Sequence, residues 1–280
     1  MSALSRKVDL NMAVKIINAM IMYANDNGLL PGSYAVVDEG GHVVAFERRD
    51  EAPAATADIA IDKAWTAATM KASGRILEII SKGQGWRLNV KHKGRLTIIP
   101  GAVPIIANAR VIGGVGHSGG SAEDDLKIAQ AGWTAIFREE NFNAEVEERL
   151  SLARKIAKEV IEEVDNRKLK PVTLAVVDEW GHPTLIYRID GAPFGTLELA
   201  RDKAWTAVAF KTLSENVSSL YSNMISATNW NERLTPIPGG VPFMYNNKFV
   251  GAIGIAGNMP EEDKNLAINV IKKVGLELLG

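Results

Sequence analysis

Ala35-Val-Val-Asp-Glu39, Gly41-His42, Arg48, Asp50, Ala52-Pro53, Thr56 and Asp62-Lys-Ala-Trp-Thr-Ala67 return 140 residues later. The second set is Ala175-Val-Val-Asp-Glu179, Gly181-His182, Arg188, Asp190, Ala192-Pro193, Thr196 and Asp202-Lys-Ala-Trp-Thr-Ala207. Over residues 34–71 against 174–211, 20 of 38 positions are identical, too many for chance. Such self-similarity is the signature of a duplicated folding unit. The chain therefore reads as two copies of one domain, with expected bounds of 1–140 and 141–280 and a polar junction near Glu139–Asn143.

The match continues with a shift of two. Leu96-Thr-Ile-Ile-Pro-Gly-Ala-Val-Pro104 pairs with Leu234-Thr-Pro-Ile-Pro-Gly-Gly-Val-Pro242, and Val111–Gly116 pairs with Phe249–Gly254. Both copies then pass an acidic turn, Glu123-Asp-Asp125 or Glu261-Glu-Asp263, into a helix-like tail. Within one unit, Met12, Ile16, Ala19, Met20 and Tyr23 have helical spacing over Asn11–Asn27, with Asp9 as cap and Gly28 as stop. Tyr34–Val37 and Val43–Phe46 are β-rich runs around Glu39-Gly-Gly-His, a hairpin signal. Thr56–Lys71 is alanine-rich and helical. Ile105–Ala107 and Val111–Val115, split by Asn108-Ala-Arg, predict a second hairpin. Ser121 and its acidic neighbours open a last helix near its positive end. The order α, β, β, α, β, β, α implies an α+β unit, an antiparallel sheet flanked by helices.

Composition narrows the function classes. Hydrophobic residues make up 46% and charged residues 23%, enough for two cores. The net charge of -1 supplies no basic field for nucleic acid. With no cysteine, disulfides, zinc–thiolate sites, iron–sulfur clusters and thiol nucleophiles are excluded. The first ten residues lack an apolar signal core, and no long apolar run suggests a membrane span. A soluble cytoplasmic protein is expected.

Taken in order, Ala35-Val-Val-Asp-x-x-Gly, Arg48-x-Asp50-x-Ala52, Asp62-Lys-Ala-x-Thr66-Ala, Pro100-Gly-x-Val-Pro104 and Gly113-x-x-Gly-x-Ser118-Gly119 resemble the GlcG/HbpS-like family, often labelled haem-degrading. The same domain forms the C-terminal part of PduO-type proteins. The resemblance covers nearly the whole chain twice. It implies two tandem profilin-like domains, assembly into homo-oligomers and haem as a possible ligand.

Several residues are candidates for chemistry. Arg48 and Arg188, with Asp50 and Asp190, either close a loop or offer a cationic fork to a carboxylate such as a haem propionate. Lys63 and Lys203 are either exposed or, among alanines, partly buried with a lowered pKa suited to catalysis. Thr66 and Thr206 share their helix face. Pro100-Gly101 and Pro238-Gly239-Gly240 are turns able to present backbone N–H groups to an anion. Gly113–Gly120 is not a phosphate loop, since no Lys-Ser/Thr follows. His42 and His182 sit at hairpin tips and read as exposed turn residues; His92 lies in a basic segment read as a solvated loop.

His117, beside Ser118 and Gly119, is either a core side chain or an iron ligand or base. Copy two has Ile255 and Ala256 there, and Gly240 where copy one has Ala102. Either one site has decayed or sites combine halves of both copies. Three functions follow: a haem- or tetrapyrrole-binding protein, an enzyme on a small carboxylated or carbonyl metabolite, or a non-catalytic assembly domain. The expected site is a cleft where the Ser118-Gly-Gly loop, the Pro-Gly loop and the Asp-Lys-Ala-x-Thr helix converge. Arg48 and Arg188 are expected to line a concavity.

Overall fold

The computed structural model describes residues 7–81, 94–138, 144–220 and 233–279. The chain divides into two compact units, Met1–Glu148 and Arg149–Gly280. The polar junction around residues 139–143 and the segment holding His92 lie outside the described residues.

The first unit runs α1 (Leu10–Asp26), β1 (Ser33–Asp38), β2 (Val43–Arg48), α2 (Thr56–Thr69), α3 (Gly74–Ser81), β3 (Ala102–Ala107), β4 (Arg110–Ser118) and α4 (Ala122–Ala135). Its strands pair antiparallel in the order β3-β4-β1-β2. The second unit repeats this with α5 (Glu148–Arg167), β5 (Thr173–Asp178), β6 (Pro183–Arg188), α6 (Thr196–Phe210), α7 (Asn216–Leu220), β7 (Gly240–Tyr245), β8 (Lys248–Ala256) and α8 (Pro260–Lys273). Its order is β6-β5-β8-β7, extended by a short strand, β9 (Glu277–Leu278), against β7. The two halves thus share one α+β topology, an antiparallel sheet flanked by helices. Beyond the expected order, a short helix follows α2 and α6 in each unit.

Local chemistry explains the elements. Asp9 caps α1, its carboxylate accepting the Met12 N–H at 2.7 Å, and Ser121 caps α4. In the β1–β2 turn Asp38 accepts the Gly40 and His42 N–H groups, both at 3.0 Å. The β3–β4 turn places Asn108 and Ala109 at φ 50° and 60°, the left-handed pair of a tight hairpin.

The glycines of β4 set how close α2 can come. A Cβ on Gly114 or Gly116 would lie 2.3 Å from the Ala64 or Ala60 carbonyl oxygen, so helix backbone rests directly on strand backbone. Alternation along β4 then turns His117 to the opposite face, where α4 packs. Among the described residues, no helix is long and apolar enough to cross a membrane.

Candidate functional site

In the first unit the three expected segments do converge, at the end of β4. Lys63 of α2 is buried, and its Nζ donates to Asp125 Oδ2 of α4 at 2.7 Å and to the His117 carbonyl at 3.1 Å. The other oxygen, Asp125 Oδ1, lies 2.9 Å from His117 Nδ1 and accepts the Gly120 N–H at 2.9 Å. The His117 ring sits 4.7 Å from that of Tyr34, its cross-strand partner on β1. His117 Nε2 is buried without a hydrogen-bond partner among the described residues. The Pro100-Gly101 loop seals the ion pair: Gly101 adopts φ +130°, and a Cβ there would sit 2.6 Å from Lys63 Nζ.

The second unit builds the same node without the imidazole. Lys203 Nζ donates to the Ile255 carbonyl at 2.8 Å and to Asp263 Oδ2 at 3.1 Å, and Asp263 Oδ1 accepts the Asn258 N–H at 3.0 Å. Gly239, at φ +124°, covers Lys203, where a Cβ would lie 2.8 Å from Nζ.

The missing imidazole changes the electrostatics. Burial lowers the His117 pKa and Lys63 lowers it further, outweighing the pull of Asp125, so the ring is neutral at pH 7. For Asp125, burial raises the pKa, but the hydrogen bond of His117, with the charge of Lys63, brings it below the usual carboxylate range. Asp263 lacks that imidazole, and burial leaves its pKa raised. Burial likewise lowers the Lys203 pKa against the opposing charge of Asp263.

An outer cluster stands over each α2-type helix. Thr66 Oγ1 accepts the Thr97 N–H at 3.0 Å and donates to the Arg95 carbonyl at 3.3 Å; Thr206 accepts from Thr235 at 2.9 Å and donates to Arg233 at 3.3 Å. Arg95 stacks 4.7 Å above the Trp65 ring and bonds Asp62 at 3.1 Å. Arg233 lies 5.2 Å above Trp205, with Nε 3.5 Å from Asp202. Burial raises the Asp202 pKa to about 6 despite Arg233, and raises that of Asp62 despite Arg95. The hairpin tip abuts this cluster, since a Cβ on Gly41 would meet Trp65 Cδ1 at 2.5 Å and one on Gly181 would meet Trp205 Cδ1 at 2.7 Å. His42 Nδ1 lies 3.3 Å from Asp38 Oδ1, with 39% of its side chain exposed.

The structure sorts the sequence candidates. Arg48 is buried and donates to the Ala52 carbonyl at 3.0 Å; Arg188 reaches Ala192 at 3.4 Å. Both are turned onto the loop that follows their own strand, where Asp50 is half-buried and Asp190 exposed. This favours loop closure over a carboxylate fork. Lys63, Lys203, His117 and Ser118 are all buried, so among the described residues the segments meet as packed interior, not as an open cleft. A metal bound at His117 Nε2 would need room that Gly32 occupies: a Cβ on Gly32 would lie 2.3 Å from that nitrogen.

The divergence between copies is compensated locally. Ser214 fills the space beside Gly240, donating from its hydroxyl to Ile237 and accepting the Gly240 N–H at 3.0 Å. In the first unit the small residue has moved to Gly74, where a Cβ would meet the Ile99 carbonyl at 2.7 Å, and Ala102 takes the strand position. Asn258, at the position of Gly120, bridges both backbone groups of Lys170.

Sequence reasoning missed Asp125 and Asp263 as lysine partners, and Arg95 and Arg233 as tryptophan covers. The signal for the aspartates was present, because each ends an acidic triplet at matched positions in the two copies.

A family model described as haem degrading protein HbpS-like matches residues 8–134 and again 149–272. An uncharacterized 15.0 kDa protein of the dhaT-dhaS intergenic region of Citrobacter freundii is 34% identical over 103 residues, 36% of this chain and 72% of that protein. The corrinoid adenosyltransferase PduO of Salmonella typhimurium is 31% identical over 110 residues, 38% of this chain; the match spans only 33% of PduO's length. Among solved structures, Klebsiella pneumoniae ORFY aligns with 50% of this chain and 99% of its own at 30% identity and TM-score 0.45. The PduOC:heme complex aligns with 46% of this chain and 95% of its own at 27% identity and TM-score 0.44.

Proposed function

This chain belongs to the haem degrading protein HbpS-like family, and on that premise we propose that each unit binds haem or a related tetrapyrrole on its surface, the first more tightly than the second. The observation that carries the reading is the family match, which covers both units separately.

The buried node does not fit a porphyrin. Gly101 leaves no space above Lys63, and Gly32 leaves none beside His117 Nε2. Lys63, Asp125 and His117 hold the end of the sheet together.

The chemistry of the outer cluster suits a flat, carboxylate-bearing ligand better. His42 Nδ1 lies 3.3 Å from Asp38 Oδ1 on a side chain 39% exposed, and a carboxylate beside one ring nitrogen is the kind of contact that orients an imidazole for a metal. Arg95, stacked over Trp65 and paired with Asp62 but 45% exposed, offers a guanidinium edge to a carboxylate. Haem, when bound, supplies an iron centre able to exchange electrons and take axial ligands.

In the second unit His182 is exposed, but Asp178 is drawn to Arg149, whose Nη1 lies 3.8 Å from Asp178 Oδ2. That difference supports unequal sites.

Titration of the whole chain with haemin, followed by the Soret band, tests the reading. The expected result is a saturable shift that weakens in His42→Ala more than in His182→Ala. An unshifted band, or equal affinities in parent and both variants, overturns it.

A further inference from the structure

The protein's two copies differ on the outer face of the paired helices, at residues that take no part in the proposed haem site. In the first unit α1 and α4 border a groove of about 470 Å³, within the range of small-molecule sites. Met22, Ala19 and Ala131 supply apolar wall, Tyr23 a phenol ring, and Lys127 and Arg138 two cations against the single carboxylate of Asp26. Lys15 donates to the Arg138 carbonyl and so ties the end of α4 to α1.

The second unit serves as an internal control. The counterparts of Ala19 and Tyr23 on α5 are Glu159 and Glu163, 140 residues on. Lys273 of α8 pairs with both of them, at 3.0 Å to Glu163. There the helices are bridged by their own charges. In the first unit the same positions are small and aromatic, and the groove cations have no ion-pair partner among the described residues.

We propose that the α1–α4 groove of the first unit binds a small carboxylate with a flat apolar body. The anionic group meets Arg138 and Lys127, where a guanidinium can fork onto both carboxylate oxygens. The apolar body lies against Tyr23 and Met22. Neither Asp125 nor the tryptophan cluster takes part, so this site stands or falls independently of haem binding.

The test is titration of the full chain with benzoate, acetate and benzyl alcohol, followed by amide chemical shifts. Saturable binding is expected for benzoate, with acetate and benzyl alcohol each weaker. Arg138→Ala and Tyr23→Glu, the second carrying the other copy's carboxylate into the groove, should each weaken benzoate about tenfold or more, the scale of one charge-assisted contact. An amide spectrum otherwise like the parent's confirms that each variant is folded. Absence of saturation with benzoate, equal affinity for acetate, or unchanged affinity in both variants overturns the proposal, whatever haemin does.

Discussion

Lys63 and Asp125 meet across the end of the sheet, Nζ to Oδ2 at 2.7 Å, with their side chains only 2% and 4% exposed. The pair joins α2 on one face to α4 on the other. Lys203 and Asp263 repeat it at 3.1 Å. Two charges held this far from water are tolerable only as a pair, so the duplicated Asp-Lys-Ala-x-Thr motif has a structural demand behind it.

Breaking that pair should be costly in one direction only. Lys63→Met leaves the Asp125 carboxylate buried without its cation and is expected to destabilise the first unit by about 3–5 kcal/mol. The double variant Lys63→Met with Asp125→Leu should recover part of the loss, because no unpaired charge remains although the Gly120 N–H and His117 Nδ1 lose their acceptor. Urea denaturation of the three proteins checks this; a loss under about 1 kcal/mol in the single variant would contradict it.

Gly101 and Gly239 should tolerate no side chain. Each combines a positive φ with a Cβ position under 3 Å from a buried ammonium. Gly101→Ala and Gly239→Ala are expected to cost at least about 1–3 kcal/mol each, the scale of a strained backbone conformation. Gly120→Ala, where a Cβ meets Asp124 and Asp125 only at 3.5 Å and φ is not positive, is the matched control and should cost less in the same denaturation assay.

Acid should weaken the first unit through His117. Its folded pKa lies below 6.5, so as pH falls through 6.5 the unfolded chain takes up a proton that the folded chain refuses. Stability therefore declines below pH 6.5 until the folded pKa is reached, by at most about 1.4 kcal/mol per pH unit. His117→Ile, the residue found in the second copy, should flatten this slope. Stability curves at pH 7 and pH 5 with equal slopes in parent and variant would count against the assignment.

Asp202 should titrate with a midpoint near pH 6, since burial raises its pKa to about 6 while Arg233 holds it back. Removing the guanidinium in Arg233→Ala should move the midpoint higher. Carbon-detected NMR of the carboxyl groups measures both, and a midpoint in the ordinary aspartate range would refute the environment described.

Much of this architecture was legible from the chain alone. Repetition exposed two units, Asn108-Ala-Arg and Glu39-Gly-Gly-His marked hairpins, and Asp9 and Ser121 marked helix starts, because these signals act over a few neighbouring residues. The site was less legible. Asp125 sits eight residues from His117 in sequence but meets Lys63 only after α2 and α4 have packed on opposite faces. An acidic triplet at a helix start reads first as a match for the helix dipole. Arg48 reads as a ligand clamp until β2 and its loop bring the Ala52 carbonyl within reach. His117 reads as an accessible ligand until strand register sets it against Tyr34.

We propose two surface haem sites of unequal strength on one chain. The most direct measurement is the stoichiometry of haemin taken up per chain, read from the Soret absorbance under tight-binding conditions. Two haemins per chain filled in two phases are expected, with the tighter phase lost in His42→Ala and the weaker retained. Uptake of none, or a single phase that survives in both His42→Ala and His182→Ala, would contradict it.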